Sequence, residues 1–434
     1  MKRHLTCIAF FTFAIPTLKP RFSGVLALAA LSTLLLIVVP PAQAQTETVL
    51  HSFANEPGDG NYADAGLIFD SSGNLYGTTV SGGAHYGGTV FELTAAGTEK
   101  ILYGFGGQPD GSGPYGGVIF DDAGNLYGTT SYGGASKCSN AYVCGTVFEL
   151  TADGTETILH SFGGGYGEKA DGTDPMAGLI FDNAGNLYGT TSYGGNLDCG
   201  AYGCGTVFKL TPKAKGKDKV VYKEKVLYRF GRYAGDGQDP YAGLIFDDAG
   251  NLYGTTFDGG YYGYGTVFEL TAAGKEKLLY SFGSYKGDAL HPNAALIFDN
   301  AGDLYSTTYD GGAYGYGTVF ELTADGTEKI LYSFGAQAGD GEFPVGSLIF
   351  DSNGNLYGTT SFGGAYYDGT VFELTAAGTE KILYTFGSQA GDGIYPYAAL
   401  IFDKNGNLYS TTPHGGDLEC EAPYGCGTVF KLTP

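Results

Sequence analysis

Aspartate beside glycine is the first recurring feature of this sequence that could support chemistry. Carboxylates on a tight loop are the oxygen ligands that hard cations such as Ca²⁺ prefer. Some of these segments carry a second carboxylate nearby, and the candidate metal ligands are Asp171 with Asp174 and Asp236 with Asp239. No segment has the spaced ligands of an EF-hand, and turn capping by each aspartate is the alternative. No other cofactor is expected. The seven aspartates are Asp59, Asp110, Asp171, Asp236, Asp288, Asp340 and Asp392.

Tyrosine is the second candidate, because its flat apolar face and polar tip can stack on a sugar or hold a peptide. The alternative is that these rings pack over neighbouring loops. The preferred ligand-binding residues are Tyr262, Tyr264, Tyr314, Tyr316, Tyr366 and Tyr367. Similar glycine-rich segments hold Tyr132, Tyr142, Tyr193, Tyr202, Tyr261, Tyr309, Phe362 and Tyr424.

Histidine is the third candidate and is scarce. His85 and His414 lie in corresponding segments near the two ends of the chain and are added to the ligand-binding set, with scattered surface histidines as the alternative. A glycosidase or lactonase needs a carboxylate or histidine that is unique to one or two repeats. We identify no such cluster, and therefore no catalytic residue.

Cysteines predict three local disulfides. Each pair occupies one glycine-rich loop, and the second cysteine always precedes Gly-Thr-Val. A zinc site would need four ligands, and each loop offers two cysteines without a nearby histidine pair. The predicted pairs are Cys138 with Cys144, Cys199 with Cys204, and Cys420 with Cys426.

A sevenfold repeat must position all of these residues. Each repeat contains four short segments that predict strands: A (Leu-Ile-Phe-Asp), B (Leu-Tyr-Gly-Thr-Thr), C (Thr-Val-Phe-Glu-Leu) and D (Lys-Ile-Leu-Tyr-Ser-Phe). The strand A aspartates Asp299, Asp351 and Asp403 are 52 residues apart. Four strands in a period of this length are typical of a β-propeller blade. The variable B–C and D–A loops then lie on one face, which is the candidate binding face.

The chain ends predict how the ring closes. The last repeat lacks strand D, while residues 46–53 (TETVLHSF) supply one at the other end of the chain. The fold class is therefore all-β: a seven-bladed β-propeller of four-stranded blades, closed by strand 46–53 completing the last blade. Small residues before each strand A, such as Ala65-Gly66, predict a channel lined by backbone and small side chains.

Composition and charge restrict the fold class and the kinds of partner that this protein can bind. Glycine contributes 75 of 434 residues, which disfavours a helical protein. The formal net charge is −22, and −26 without residues 1–44, which carry four basic residues. This balance argues against nucleic acid and anionic membranes. A basic segment, 213–225, is the exception and could contact an acidic partner, although a solvated hairpin tip is the alternative.

The first 44 residues have the features of a secretory signal peptide. Basic residues precede an apolar run from Val25 to Val39, and Ala42-Gln43-Ala44 resembles a cleavage site. We expect cleavage after Ala44, a propeller over residues 45–434 and a secreted or periplasmic location. An uncleaved anchor is the alternative, but the run is short of the ~20 residues that span a bilayer. We expect no membrane span after cleavage, and a monomer.

The repeat resembles a known family. The phrases FD-x-x-GNLYGTT, GTVFEL and KILYSF are similar to the GloVer tandem repeat of secreted bacterial proteins, and the resemblance runs from Thr46 to Pro434. It implies an exported repeat protein and supplies no catalytic residues. The A–B phrase alone is also similar to lactonase-like propellers.

Two functions remain after these arguments. The first is an exported, non-catalytic binding or scaffold protein, with a glycan or a cell-surface protein held on the tyrosine-rich B–C/D–A face. The second is a propeller enzyme, similar to glycosidases, lyases or lactonases, that acts on extracellular polysaccharide or a lactone. Sevenfold repetition favours the first, because catalysis needs asymmetry.

Overall fold

A computed structural model describes residues 46–54, 58–106, 109–134, 144–163, 171–196, 198–200, 202–214, 220–420 and 422–433. These residues belong to one compact unit, Ala44–Pro434. The predicted signal peptide lies outside the described residues and stays a prediction. Within the described ranges, no helix has the length and apolarity that crossing a membrane requires.

The described residues form seven four-stranded antiparallel sheets, each in the order A-B-C-D from the axis outward, which confirms the predicted seven-bladed propeller. Strands A are Ile68–Phe69, Ile119–Phe120, Ile180–Phe181, Ile245–Phe246, Ile297–Phe298, Ile349–Phe350 and Ile401–Phe402. Strands B are Leu75–Thr79, Leu126–Thr130, Leu187–Thr191, Leu252–Thr256, Leu304–Thr308, Leu356–Thr360 and Leu408–Thr412. Strands C are Thr89–Leu93, Thr146–Leu150, Thr206–Ala214, Thr266–Leu270, Thr318–Leu322, Thr370–Leu374 and Thr428–Thr433. Strands D are Glu99–Gly104, Glu156–Ser161, Val220–Arg229, Glu276–Ser281, Glu328–Ser333, Glu380–Thr385 and, at the N-terminus, Thr46–Ser52.

The ring closes as predicted. Strand Thr46–Ser52 pairs antiparallel with Thr428–Thr433 and so becomes strand D of blade 7. Phe53, which follows this closing strand, packs edge-on against Phe91 of blade 1 at 5.3 Å between ring centroids. The first strand of the chain therefore holds the last blade together and also contacts the first.

Hydrophobic cores lie between neighbouring blades. Between blades 5 and 6, Phe334, Leu348 and Phe372 are buried in one cluster, and each of the other boundaries has a similar cluster. Close packing explains the glycine in the middle of strand B. A Cβ at Gly358 would lie 2.7 Å from the Phe372 ring and 2.9 Å from Leu348, so only glycine fits there without a shift.

Threonine hydroxyls also join the blades. In six blades, the first threonine of the strand B pair donates to a backbone carbonyl that precedes strand A of the next blade, as from Thr359 to Ala398 at 3.1 Å. The same bond joins Thr411 of blade 7 to Ala65 of blade 1 at 2.9 Å. The second threonine instead pairs with strand C of its own blade, as Thr360 does with Thr370.

Seven two-residue ladders, not predicted from the sequence, connect each D–A loop to the start of the following B–C loop. They fix the backbone of the candidate binding face above the blades. The paired segments are Gly60–Asn61 with Ser81–Gly82, Gly111–Ser112 with Tyr132–Gly133, Gly172–Thr173 with Tyr193–Gly194, Gly237–Gln238 with Asp258–Gly259, Ala289–Leu290 with Asp310–Gly311, Gly341–Glu342 with Phe362–Gly363, and Gly393–Ile394 with His414–Gly415.

The basic segment of repeat 3 extends the outer strands of its blade. Strands Thr206–Ala214 and Val220–Arg229 stay paired as far as Ala214 and Val220, which makes this the longest hairpin among the described residues. Its tip, 215–219, lies outside those residues, so a role in binding an acidic partner stays a prediction.

Candidate functional site

A pocket of about 870 Å³ opens on the propeller axis, on the face that carries the B–C and D–A loops. Small residues that precede strands A, such as Ala65, Gly66 and Ala399, line it where it meets the blades, as the sequence predicts for a channel. The residue directly before each pair of small residues also lines the pocket, and its type is not the same in all blades. These seven pocket residues are Asp64, Tyr115, Met176, Tyr241, Asn293, Val345 and Tyr397.

A sharp backbone turn brings these residues to the axis. After each ladder, one residue adopts a positive φ, including non-glycine residues such as Asp174 (58°) and His291 (55°), a conformation that is uncommon without glycine. The chain then runs inward to strand A. The turn is repeated in every blade, so any side chain placed two residues after it faces the axial pocket. The turning residues are Tyr62, Gly113, Asp174, Asp239, His291, Phe343 and Tyr395.

Two carboxylates break the symmetry of the pocket. Asp64 lines it, and its Oδ1 atom is buried without a hydrogen-bond partner among the described residues. Burial raises the pKa of Asp64 to about 7. Asp174 also lines the pocket, is 7% exposed and has an unpartnered Oδ1. Burial raises the pKa of Asp174 to about 6. Both groups therefore exchange protons near neutral pH.

Tyrosines supply most of the remaining wall. The hydroxyls of Tyr193 and Tyr241 lie 3.3 Å apart, and the rings of Tyr115 and Tyr132 contact edge-on at 6.4 Å. Burial raises the pKa of Tyr397, and the nearby charge of Asp64 raises it further. Among the described residues that line the pocket, none is Lys, Arg or His. The pocket therefore offers aromatic faces, hydroxyls and carboxyl groups, with no positive charge.

The preferred tyrosines of the sequence analysis lie elsewhere on the same face. The B–C loops lean outward over the ends of strands D, so Tyr264 covers Gly283 and Tyr316 covers Gly335. Tyr264 and Tyr316 also pack against His291 and Phe343 of the next blade. Of the B–C loop aromatics, the pocket is lined by tyrosines at the start of the loops, by Phe362 and by Tyr202, which lies farther along its loop. Exposed fractions in the preferred set are 52% for Tyr262, 41% for Tyr264, 53% for Tyr314, 39% for Tyr316, 54% for Tyr366 and 68% for Tyr367.

The two candidate histidines lie outside the axial pocket. His85 is exposed beside Gly106, at the outer end of blade 1. His414 lies among three tyrosine rings, with centroid distances of 5.1 Å to Tyr62, 5.9 Å to Tyr395 and 5.8 Å to Tyr424. The structure therefore gives His414 an aromatic environment at the boundary between blades 7 and 1.

The repeated D–A aspartates act as turn caps. Asp236 accepts hydrogen bonds from the backbone of Arg232 and Gly237 and from the Tyr228 hydroxyl, all at 2.8–2.9 Å. Asp171 similarly accepts from the backbone of Gly163. Oδ2 of Asp236 thus accepts two hydrogen bonds and Oδ1 accepts one.

The second carboxylates of the candidate metal pairs have different surroundings. Asp174 faces the axial pocket, as described above. Asp239 lies near Asp258, and burial together with the charge of Asp258 raises the pKa of Asp239 to about 7. Asp258 in turn lies 3.5 Å from Nε2 of His291, whose Nδ1 is 3.0 Å from Asp310. His291 is therefore held between two carboxylates by both ring nitrogens.

The disulfide predictions are confirmed where the structure describes both partners. Cys199 pairs with Cys204 and Cys420 with Cys426, at Cα–Cα distances of 5.2 and 5.6 Å. Cys144 is also disulfide-bonded, and its predicted partner Cys138 lies outside the described residues. Each bridge constrains a B–C loop on the candidate binding face.

Sequence reasoning missed Asp64. The available signal was its position directly before Ala65-Gly66, where no other repeat carries a carboxylate. The sequence does not show that the turn after the ladder places Asp64 on the axis.

Comparisons with known proteins place the chain in a family. The family model of the Gloeobacter/Verrucomicrobia repeat matches residues 36–221 and 197–430. No curated protein sequence matches the chain.

Similar solved structures have low sequence identity to this chain, so they say nothing of its function. A fungal alcohol oxidase of the AA5 family in complex with copper has a TM-score of 0.50 at 13% identity, covering 90% of this chain and 76% of that one. A putative 6-phosphogluconolactonase from Bacteroides uniformis has a TM-score of 0.45 at 15% identity, covering 85% and 89%. A luciferin-regenerating enzyme has a TM-score of 0.42 at 16% identity, covering 74% and 91%. With its repeats matched almost from end to end, this chain belongs to the Gloeobacter/Verrucomicrobia repeat family.

Proposed function

We propose that this protein is an exported binding protein that holds a neutral sugar unit of a glycan in its axial pocket. One observation carries the proposal: an axial pocket of about 870 Å³ in which tyrosines surround the buried carboxyl groups of Asp64 and Asp174. Ligand pockets of small molecules commonly have 300–1,000 Å³, with apolar walls and a few convergent polar groups.

The chemistry of the wall supports a neutral polyhydroxylated ligand. Tyrosine rings offer apolar faces to the C–H face of a sugar, and their hydroxyls can donate to or accept from its hydroxyls. Carboxyl groups with pKa values of about 6 and 7 serve as acceptors when ionised and as donors when protonated. An anionic ligand is disfavoured by both carboxylates and by the net charge of −22.

The disulfides support export. Disulfides form and persist in oxidising compartments and are rare in the cytosol. The Cys199–Cys204 and Cys420–Cys426 bridges fit the signal peptide that the sequence predicts, and both of these loops lie on the binding face.

Calorimetric titration of the purified protein with maltose, cellobiose and N,N′-diacetylchitobiose tests the binding proposal. We expect at least one of these sugars to bind, and Tyr115→Ala or Tyr241→Ala to weaken it about tenfold or more, which is about 1.4 kcal/mol. Tyr262→Ala and Tyr366→Ala are matched controls, because both remove an exposed ring on the same face outside the pocket. Equal losses in both groups would move the site to the outer loops, and choline binding in place of sugars would contradict a neutral ligand.

A hydrolase is the second candidate, and the two carboxyl groups favour it. A carboxylic acid whose pKa lies near the working pH is suited to general acid or base catalysis. Glucono-δ-lactone and p-nitrophenyl glycosides are the substrate probes, with Asp64→Asn and Asp174→Asn as variants. Turnover that either variant abolishes while the sugar affinity persists would establish the enzyme. Binding without turnover would leave the binding protein as the function.

A further inference from the structure

His51, Asp59 and Glu99 converge at the place where the ring closes. His51 lies in the closing strand, Asp59 in the loop that leads into blade 1, and Glu99 begins strand D of blade 1. One ligand atom from each residue lies within 4.8 Å of the other two, which makes this the one such His/Cys/Asp/Glu group found in the described part of the chain. We propose that these three side chains bind one Zn²⁺ ion that fastens the closing strand to blade 1.

Two of the three side chains offer an atom without other partners, whereas Asp59 also caps its turn, with Oδ1 accepting from the Gly60 backbone at 2.7 Å and Oδ2 from the Ala54 backbone at 2.8 Å. His51 Nε2 and Glu99 Oε1 are buried and have no hydrogen bond within the described residues. His51 Nε2 lies 4.0 Å from Asp59 Oδ1, which is too long for a direct hydrogen bond. Buried polar atoms without partners are costly. The matching glutamate of five other blades also has an unpartnered Oε1, so the ring nitrogen of His51 is the atom that distinguishes this place. A cation between the three side chains would serve both atoms.

The other blades show what this arrangement replaces. In blade 5, the Tyr332 hydroxyl donates to Asp340 at 2.9 Å, and four further blades place a tyrosine against the matching aspartate. A tyrosine satisfies the aspartate directly and makes a poor metal ligand at neutral pH. His51 stands at the tyrosine position. A ring nitrogen that can bind a metal therefore replaces the hydroxyl that donates to the aspartate in the other blades.

A second histidine at the same position provides an internal control. His160 of blade 2 lies 3.1 Å from Asp171, within direct hydrogen-bonding distance. That bond uses the ring nitrogen which faces the carboxylate, and His160 belongs to no converging group of three among the described residues. Histidine at the tyrosine position therefore bonds directly to its aspartate in blade 2, but not in the closing strand.

The donor set selects the ion. Zn²⁺ is bound by histidine nitrogen and carboxylate oxygen at about 2.0–2.2 Å, and three protein ligands leave its fourth position for water. Ca²⁺ prefers six to eight oxygen ligands, which this group does not offer. The ligands come from the first and the last blade, so binding would stabilise the closed ring.

The experiment compares His51→Tyr with His160→Tyr in the purified protein. Both variants install the tyrosine that five blades already have, so both are expected to fold. After removal of metal with EDTA and dialysis against ZnCl₂, the wild type and His160→Tyr should retain one more equivalent of zinc than His51→Tyr. Excess Zn²⁺ should raise their midpoint of thermal unfolding by about 2 °C or more, and leave that of His51→Tyr unchanged.

Glu99→Gln is the second variant, because it keeps the shape of the side chain and weakens the ligand. It should lower the zinc affinity at least tenfold. Equal zinc content in the wild type and His51→Tyr would overturn the proposal, as would zinc loss in His160→Tyr. Stabilisation of the wild type and His51→Tyr alike by CaCl₂, without an effect of Zn²⁺, would also overturn it. Sugar binding in the axial pocket is a separate measurement, so either proposal can fail without the other.

Discussion

At the scale of single residues, chemistry in this propeller depends on the positions that do not repeat. The aspartate of each A–B turn is present in every blade and accepts backbone hydrogen bonds, as Asp351 does from Asn353 and Asn355. Asp64 has no counterpart with a charge in the other blades, and Asn293 stands at the matching place in blade 5. A carboxylate there is consequently a feature of the pocket and is not required by the fold.

Asp64→Asn tests this assignment through the pH dependence of stability. Because burial raises the pKa of Asp64 from 3.8 to about 7, its stabilising contribution is present below pH 3.8 and is lost as the pH rises through 7. Asparagine remains neutral, so we expect the variant to unfold at a higher temperature than the wild type at pH 8. The difference should disappear near pH 4. Thermal unfolding followed by circular dichroism measures it, and equal destabilisation at both pH values would assign Asp64 a structural role.

At the scale of elements, the hydroxyl bonds between blades are the repeated contacts that a substitution can isolate. Thr359 donates to Ala398 of the next blade. Thr307 stands at the same place in blade 5, and its hydroxyl oxygen is buried without a hydrogen-bond partner in the described residues. The chain therefore contains its own control for this interaction.

Thr359→Val should lower the free energy of unfolding by about 1–2 kcal/mol, because it leaves the buried Ala398 carbonyl without its donor. Thr307→Val removes a hydroxyl that has no bond to lose, so we expect no loss. Chemical denaturation with urea compares the two variants. If both were destabilised equally, the cost would belong to the change of shape and the interblade hydrogen bond would contribute nothing.

Sequence analysis predicted the strands, the closing strand and the disulfides because each of them follows a sequence motif that recurs along the chain. Leu356–Thr360 and Thr370–Leu374 follow the predicted segments B and C closely. The axial pocket was predicted only as a channel, because its chemistry depends on where a turn sends one side chain per blade. Outer tyrosines such as Tyr262 were predicted to bind ligand because they are numerous. The sequence does not show that their loops lean outward.

At the scale of the whole molecule, buried acids should dominate the response to pH. Every blade carries a glutamate in strand D opposite the last leucine of strand C. Burial together with a nearby aspartate raises the pKa of five of them to about 7: Glu47, Glu99, Glu156, Glu328 and Glu380. The pKa values of the aspartates in the A–B turns are shifted in the opposite direction. Although burial alone would raise it, hydrogen bonds from Asn186 and Tyr188 lower the pKa of Asp182 to about 2.

Stability should therefore be greatest in mild acid. The glutamates contribute stability below pH 4.5 that is lost as the pH rises to about 7, and the turn aspartates contribute stability above pH 3.8 that is lost below it. We expect a higher unfolding temperature at pH 5 than at pH 8. Glu328→Gln should reduce this difference, and Asp248→Asn, which removes one exposed charge, should not. A profile that is flat between pH 5 and 8 would contradict the account.

The central claim, that the axial pocket is the binding site, is tested most directly by a crystal structure of the protein with the sugar that binds best in the titrations. The account predicts one sugar unit on the axis, with its ring against Tyr115 or Tyr241 and a hydroxyl within about 3 Å of the Asp64 carboxyl group. A sugar bound only against the outer tyrosines, such as Tyr262 and Tyr366, with the axial pocket filled by water, would contradict it.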